Sequence, residues 1–196
     1  MGRTNKFAVA FVVLLAGGLG AYIIISRGLY PVAFVGTHPI SGRTVETTYR
    51  GALRYYIVAA ETYGTGLKEV ADPAAQVELR RAAVDRAINT ILIRAELKRR
   101  LGGELDAILE KKLSTARNDE KFRESATGLY GLDFNAYETT FLVPMAEEEL
   151  LDDRLHSDNN GNVSEWLRTA RAAASVWIFA PVFSWKNGGV VANGVR

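Results

Sequence analysis

Two histidines, His38 and His156, and the carboxylates Glu147, Glu148, Glu149, Asp152 and Asp153 are the residues whose types suit acid–base work or metal binding. A metal needs three or four such groups converging on one point, and general acid–base catalysis needs two carboxylates facing one bond. The spacing supplies neither. His38 precedes Pro39 in a turn-like stretch, and His156 sits near Asp153 at a helix end, where a surface imidazole is the ordinary reading. Three consecutive glutamates on a helix point in three directions, so Glu147, Glu148 and Glu149 read as a solvated face. No H-E-x-x-H, G-x-S-x-G or P-loop occurs, and no G-x-G-x-x-G in strand–helix context. The loop Asp158–Asn162 fails as a calcium loop because Gly161 falls at the fourth loop position and Val163 at the sixth, where glycine is required. Asn162-Val163-Ser164 forms a glycosylation sequon that matters only in a glycosylating host. With no cysteine, thiolate chemistry and disulfides are excluded. The reading is therefore of a non-enzyme, with no cofactor and no metal.

The elements that would have to position such groups are mostly helical. Pro73 to Leu101 carries apolar residues Val77, Val84, Ile88, Ile91 and Ala95 in one stripe at helical spacing. Asp72 suits its N-cap, Pro73 its first turn, and Gly102-Gly103 its stop. At 1.5 Å per residue such a helix is roughly 43 Å long, so several segments must pack along it. Thr44 can cap a helix to about Tyr63, with Val45, Tyr49, Ala52, Leu53, Tyr56, Ala59 and Tyr63 on its apolar side. Its tyrosines suit either a core with hydroxyls at the rim or a ligand-gripping face. A third helix begins near Leu105. The polar run 114–127 reads as an exposed helical arm or a partly ordered connection. Asp133 can cap a further helix bearing Phe134, Tyr137, Phe141, Met145 and Leu150, kinked at Pro144. Asn162 and Glu165 open a last helix over about 163–174.

Pro31–Gly36 and Ser175–Trp185 read as strands, with Thr37–Gly42 a turn. Neither strand has another partner, so the ends of the domain are expected to meet in a small two-stranded antiparallel ribbon.

Phe7 to Ile25 is uncharged over 19 residues, giving a helix of roughly 28 Å against a hydrocarbon thickness of about 30 Å. Arg3 and Lys6 precede it, which orients the N-terminus to the cytoplasm and the rest of the chain outside. A cleaved signal peptide is the competing reading, although no A-x-A site is present. The organisation expected is an anchor over 1–30, a helical domain over 31–186 and a tail over 187–196. A net charge of +2 with 22 acids interleaved, and a basic cluster no longer than Lys98-Arg99-Arg100, exclude a phosphate-backbone binder.

The order of segments resembles the N-terminal chaperone domain of SurA-type periplasmic folding factors, shared by the membrane-anchored PpiD and PrsA. The likeness is carried by Val35-Gly36-Thr37-His38-Pro39-Ile40-Ser41, by Ala83–Ile93 with Ala95–Gly102, and by Gly131-Leu132-Asp133 followed by Tyr137 and Phe141. Gly36-Thr37 departs from the usual Asn-Gly pair. Only 39 residues follow Ser157, too few for the parvulin isomerase domain of those relatives, so no isomerase activity is implied. The resemblance implies a mostly α, SurA-N-like domain that holds unfolded client polypeptides in an apolar groove. Candidate groove residues are Tyr49, Leu53, Tyr56, Phe134, Tyr137 and Phe141, each of which could equally be ordinary core. The alternative is an envelope assembly or structural factor that binds one specific partner.

Overall fold

The computed structural model describes residues 26, 28–64, 66–159 and 161–193. The anchor expected over 7–25 lies outside them. Among the described residues no helix is long and apolar enough to cross a membrane.

The long helix forms where its local signals place it. Helix α3 in chain order spans Pro73–Leu101, and the Asp72 carboxylate accepts the Ala74 N–H at 2.8 Å. Gly102 ends it at φ 55°, ψ −126°, backbone that a side chain disfavours. Before it lie α1 (Gly42–Tyr63) and the short α2 (Leu67–Ala71); after it come α4 (Leu105–Asn118), α5 (Glu120–Tyr130), α6 (Phe134–Tyr137), α7 (Val143–Ser157) and α8 (Val163–Ala173). The cap of α1 is Ser41, whose hydroxyl accepts the Thr44 N–H, so the helix starts three residues earlier than a Thr44 cap predicts.

The buried face of α3 is not the single stripe read from its spacing. Its first half sends Val84, Ala87 and Ile88 into one core, with Ala33, Val35, Ile40, Phe183 and Val190. Its second half sends Ile93 and Leu97 into another, with Leu105, Leu109, Leu113, Leu150, Leu151 and Leu155. Ala95, expected in the stripe, is exposed. The cause is tertiary: different elements meet the helix from different sides along its length. Each fully buried leucine of the second core contributes roughly 1.5–3 kcal/mol.

The polar run 114–127 is helical throughout except at Asp119, whose side chain accepts the Phe122 N–H and starts α5. Ala126 is buried, so this stretch is packed and not a free arm. Between α6 and α7, residues Glu138–Leu142 form a π turn, with the Val143 N–H donating to Glu138 O. Pro144 lacks the N–H that an α-helix would give to Thr140 O, and the wider turn just ahead of it takes up the misfit.

Strands β1 (Pro31–Val35) and β3 (Val176–Ile178) pair antiparallel, Ala33 opposite Ile178 and Val35 opposite Val176. The two ends of the domain do meet. Yet the sheet has three strands, because residues read as a turn form β2 (His38–Ser41), giving the order β2-β1-β3. Pro39 is tolerated there because β2 is an edge strand. The single strand expected over 175–185 is broken after Ile178. Phe183–Lys186 is β4, paired with β5 (Gly189–Ala192), and Val190 is buried, so the expected tail from 187 belongs to the domain up to Ala192.

This C-terminal hairpin is clasped to α3. Arg171 of α8 donates to Asp85 Oδ1 (2.5 Å), Asn89 Oδ1 (2.8 Å) and Gly188 O (2.6 Å). Arg81 reaches Asp85 Oδ2 at 2.9 Å and Val190 O at 3.1 Å. Asp85 and Arg81, two charges outside the apolar stripe of α3, are thus structural.

Candidate functional site

The groove candidates fall on two separate surfaces. Asp133 caps α6 by accepting the Ala136 N–H at 2.8 Å, which starts the helical path that carries Phe134, Tyr137 and Phe141. Tyr130 and Phe122 of α5 meet them. The ring centroids of Tyr130 lie 4.7 Å from Phe141 and 4.9 Å from Tyr137, and Phe122 lies 6.2 Å from Tyr137. Helix α1 closes this cluster with Gly51, whose missing side chain leaves room for the Phe141 ring, while Tyr55 stacks on Tyr130 at 5.4 Å. Tyr137 and Phe141 are both 6% exposed. Burial, then the neighbouring phenol, pushes the Tyr130 and Tyr137 hydroxyls above their usual pKa range. Phe134 is half-buried at the edge of the cluster. This is a sealed satellite core, held by aromatic packing worth about 0.5–1.5 kcal/mol per pair beyond area burial.

Tyr49, Leu53 and Tyr56 point elsewhere. At 3.6 residues per turn they share one face of α1, roughly 140–200° from Gly51. Tyr49 is buried, its hydroxyl 3.4 Å from Gln76 Oε1 and the Arg80 guanidinium 3.8 Å from its ring centroid. Leu53 is half-buried and Tyr56 exposed. The six residues therefore do not line one groove. What remains open is a tyrosine ridge on α1, with Tyr55, Tyr56 and Tyr63 exposed at 40%, 49% and 79%.

Two clefts flank α1. One, of about 600 Å³, is lined by hydroxyls including Thr44, Thr47, Thr90 and Thr140, together with Arg86. The buried Arg86 Nε has no hydrogen-bond partner; its guanidinium carbon lies 5.5 Å from the Phe141 ring centroid, so a ring face offsets part of its charge. The other, of about 620 Å³, contains Arg43, Glu46, Arg50 and Arg80 beside Tyr30 and Val182. Partial burial opposes the Glu46 charge, but hydrogen bonds from Arg50 (2.7 Å) and Arg80 (2.8 Å) outweigh it and hold its pKa below the usual range. Neither cleft brings two carboxylates to one point.

The acids and histidines are structural or exposed, with one exception. His38 is exposed at the start of β2; His156 is exposed with Nδ1 2.9 Å from Asp152 O. Asp152 Oδ1 accepts the Val163 N–H at 2.8 Å and anchors α8. Among the described residues no three His, Asp or Glu side chains gather to hold a metal. The exception is Glu147, expected on a solvated face but 1% exposed, while Glu148 and Glu149 are exposed. Arg94 Nε lies 3.0 Å from its Oε1 without the alignment to donate, so both carboxylate oxygens lack a hydrogen bond. Burial raises its pKa above the ordinary 4.5, against the pull of Arg94 and Lys98. Ionised Glu147 is therefore a cost at neutral pH. As pH falls through its raised folded pKa, the native state takes up a proton before the unfolded chain does, and stability rises until about pH 4.5. Glu147→Gln is expected to stabilise the protein by about 1 kcal/mol at pH 7, because the half-exposed Arg94 can hydrate alone. Urea unfolding at stepped pH checks this: the advantage should shrink toward zero on acidification, and a pH-independent difference would contradict it.

No family model, no curated protein and no solved structure matches this chain.

Proposed function

We propose that the protein is a membrane-anchored, extracytoplasmic, chaperone-like factor that binds unfolded or partly folded client polypeptides and makes no bonds. The observation that carries this reading is the tyrosine ridge of α1: Tyr56 and Tyr63 stand exposed on one face of the helix, with Tyr55 at its edge beside the Tyr130 stack. Aromatic rings with a hydroxyl at the tip grip varied apolar segments without directed hydrogen bonding. The resemblance to SurA-type folding factors supports it from the sequence side, and the uncharged segment 7–25 supports the anchor. The binding surface in this reading is the outside of α1, not the groove the six aromatic and aliphatic candidates would have formed. A second reading, an assembly factor for one envelope partner, draws support from the burial of Tyr137 and Phe141, which leaves no adaptable groove at that cluster.

Photo-crosslinking side chains placed at Tyr56 and Tyr63 of the full chain, in membranes, separate the two. Several unrelated unfolded polypeptides are expected. A single folded product would transfer the case to the assembly factor, and no product at either position would remove both. The pair Tyr56→Ser and Tyr63→Ser is expected to weaken capture roughly tenfold, about 1.4 kcal/mol.

A further inference from the structure

The outer face of the three-stranded sheet is apolar where an antiparallel sheet covered on one side normally turns polar residues to water. Its inner row, Ile40–Ala33–Ile178, belongs to the core, with Ala33 and Ile40 buried. Its outer row is Pro39–Phe34–Trp177 in register, and Phe179 extends it, donating its N–H to Val32 O at 2.8 Å with its ring edge-on to Phe34 at 5.9 Å. Trp177, Phe179 and the adjacent Val182 are 66%, 60% and 45% exposed.

The chain enters the domain beside this patch. Gly28 O accepts the Arg43 N–H at 2.7 Å and Tyr30 O accepts the Gly42 N–H at 2.9 Å, fixing the residues before β1 against the start of α1. Gly28 and Tyr30 share a cleft with Ala180 and Val182. The uncharged stretch Phe7–Ile25 thus ends three residues before a segment that is fixed to the start of α1 and shares a cleft with Val182. Arg43, which makes no ion pair among the described residues, lines the same cleft.

We propose that the Phe34–Trp177–Phe179 face, with Val182, rests in the interfacial layer of the bilayer that holds residues 7–25, with Arg43 turned to lipid phosphate. Indole and phenyl rings favour the headgroup level, and a cation beside them suits anionic lipid. Tethering makes the contact intramolecular, so a small patch suffices where it would not hold a free protein. The patch then sets which way the domain faces and turns the tyrosine ridge to a defined side. The inference rests on the reading that residues 7–25 are a membrane anchor.

The test uses the full chain in nanodiscs, with Trp166→Phe and Trp185→Phe leaving Trp177 the sole indole. In discs of lipid brominated near the headgroup, Trp177 emission is expected to fall about twofold against unbrominated discs, since an interfacial indole lies within reach of the bromines. Phe179→Ser with Val182→Ser should restore most of the emission. Equal emission in both discs, from a chain that resists carbonate extraction, overturns the inference and leaves the anchor standing. Release by carbonate overturns the anchor instead. Emission that shifts with protein concentration but not with bromine assigns the patch to a second copy and also overturns it. If the single-Trp protein loses its helical circular dichroism, an environment-sensitive dye on Val182→Cys, the sole thiol, gives the same readout.

Discussion

Asp85→Ala is expected to destabilise the protein by about 3 kcal/mol, lowering its Tm by roughly 6–12 °C. The Asp85 carboxylate receives Arg171 at 2.5 Å and the Val190 N–H at 3.3 Å on one oxygen, and Arg81 at 2.9 Å on the other. With side chains 21%, 16% and 25% exposed, the three charges are too poorly hydrated for the loss to be made good by water. Arg171 would keep Asn89 and Gly188 O, so the penalty stays near the lower end for a broken buried pair. A cycle combining Asp85→Ala with Arg171→Ala should show about 2 kcal/mol of coupling in urea unfolding. The exposed Arg50–Glu46 pair supplies the contrast: Arg50→Ala should change stability by less than about 0.5 kcal/mol. Proteolysis reports the structural consequence, because the hairpin Phe183–Ala192 should be clipped first in Asp85→Ala. Equal sensitivity of the two proteins would mean that apolar packing of Phe183 and Val190 alone holds the hairpin down.

That clasp also marks where sequence reading stops. Asp85 and Arg171 are far apart in the chain, and each looks like one more charge on a helix face; nothing local distinguishes them from Arg50 or Glu46. Local chemistry, by contrast, was legible. Asp72-Pro73 and Gly102 bound α3 because caps and stops act within a turn or two, and Asp133 and Asn162 cap α6 and α8 for the same reason. Asn187-Gly188 between Trp185 and Val190 is a hairpin signal of the same local kind, with both residues at positive φ; reading the region as a tail passed over it. Burial was harder. In Val176-Trp177-Ile178-Phe179 both alternating sets are apolar, so a period of two cannot say which set faces in. The site shared this difficulty. Periodicity put Tyr49 and Tyr56 on one face of α1, and Phe134, Tyr137 and Phe141 on one side of a later helix. Whether those faces meet depends on packing between helices, and it is Gly51 and Tyr55, absent from both stripes, that α1 turns to the cluster.

Gly51→Ala should therefore destabilise the protein by about 2 kcal/mol, although alanine is the better helix former by about 1 kcal/mol. An added Cβ would stand 2.6 Å from Phe141 Cε2, 2.9 Å from its Cζ and 3.1 Å from Leu132 Cδ1. The Phe141 ring cannot swing aside: Tyr130 lies 4.7 Å and Tyr137 6.0 Å from it, centroid to centroid. Relief has to come from moving α1 off the cluster, which loosens the Tyr55–Tyr130 stack as well. Gly128 of α5 provides the control, since nothing lies within 4 Å of the Cβ it would gain. Gly128→Ala should stabilise by about 0.5–1 kcal/mol through propensity alone. Trimming the obstacle tests the cause: Phe141→Leu in the Gly51→Ala background should recover more than about 1 kcal/mol, a coupling that independent sites would not show. Urea midpoints of the wild type, Gly51→Ala, Gly128→Ala, Phe141→Leu and the double variant decide it. Should both alanines stabilise alike, the ring must have had free space to move into, and the cluster would be an open groove able to admit a client segment.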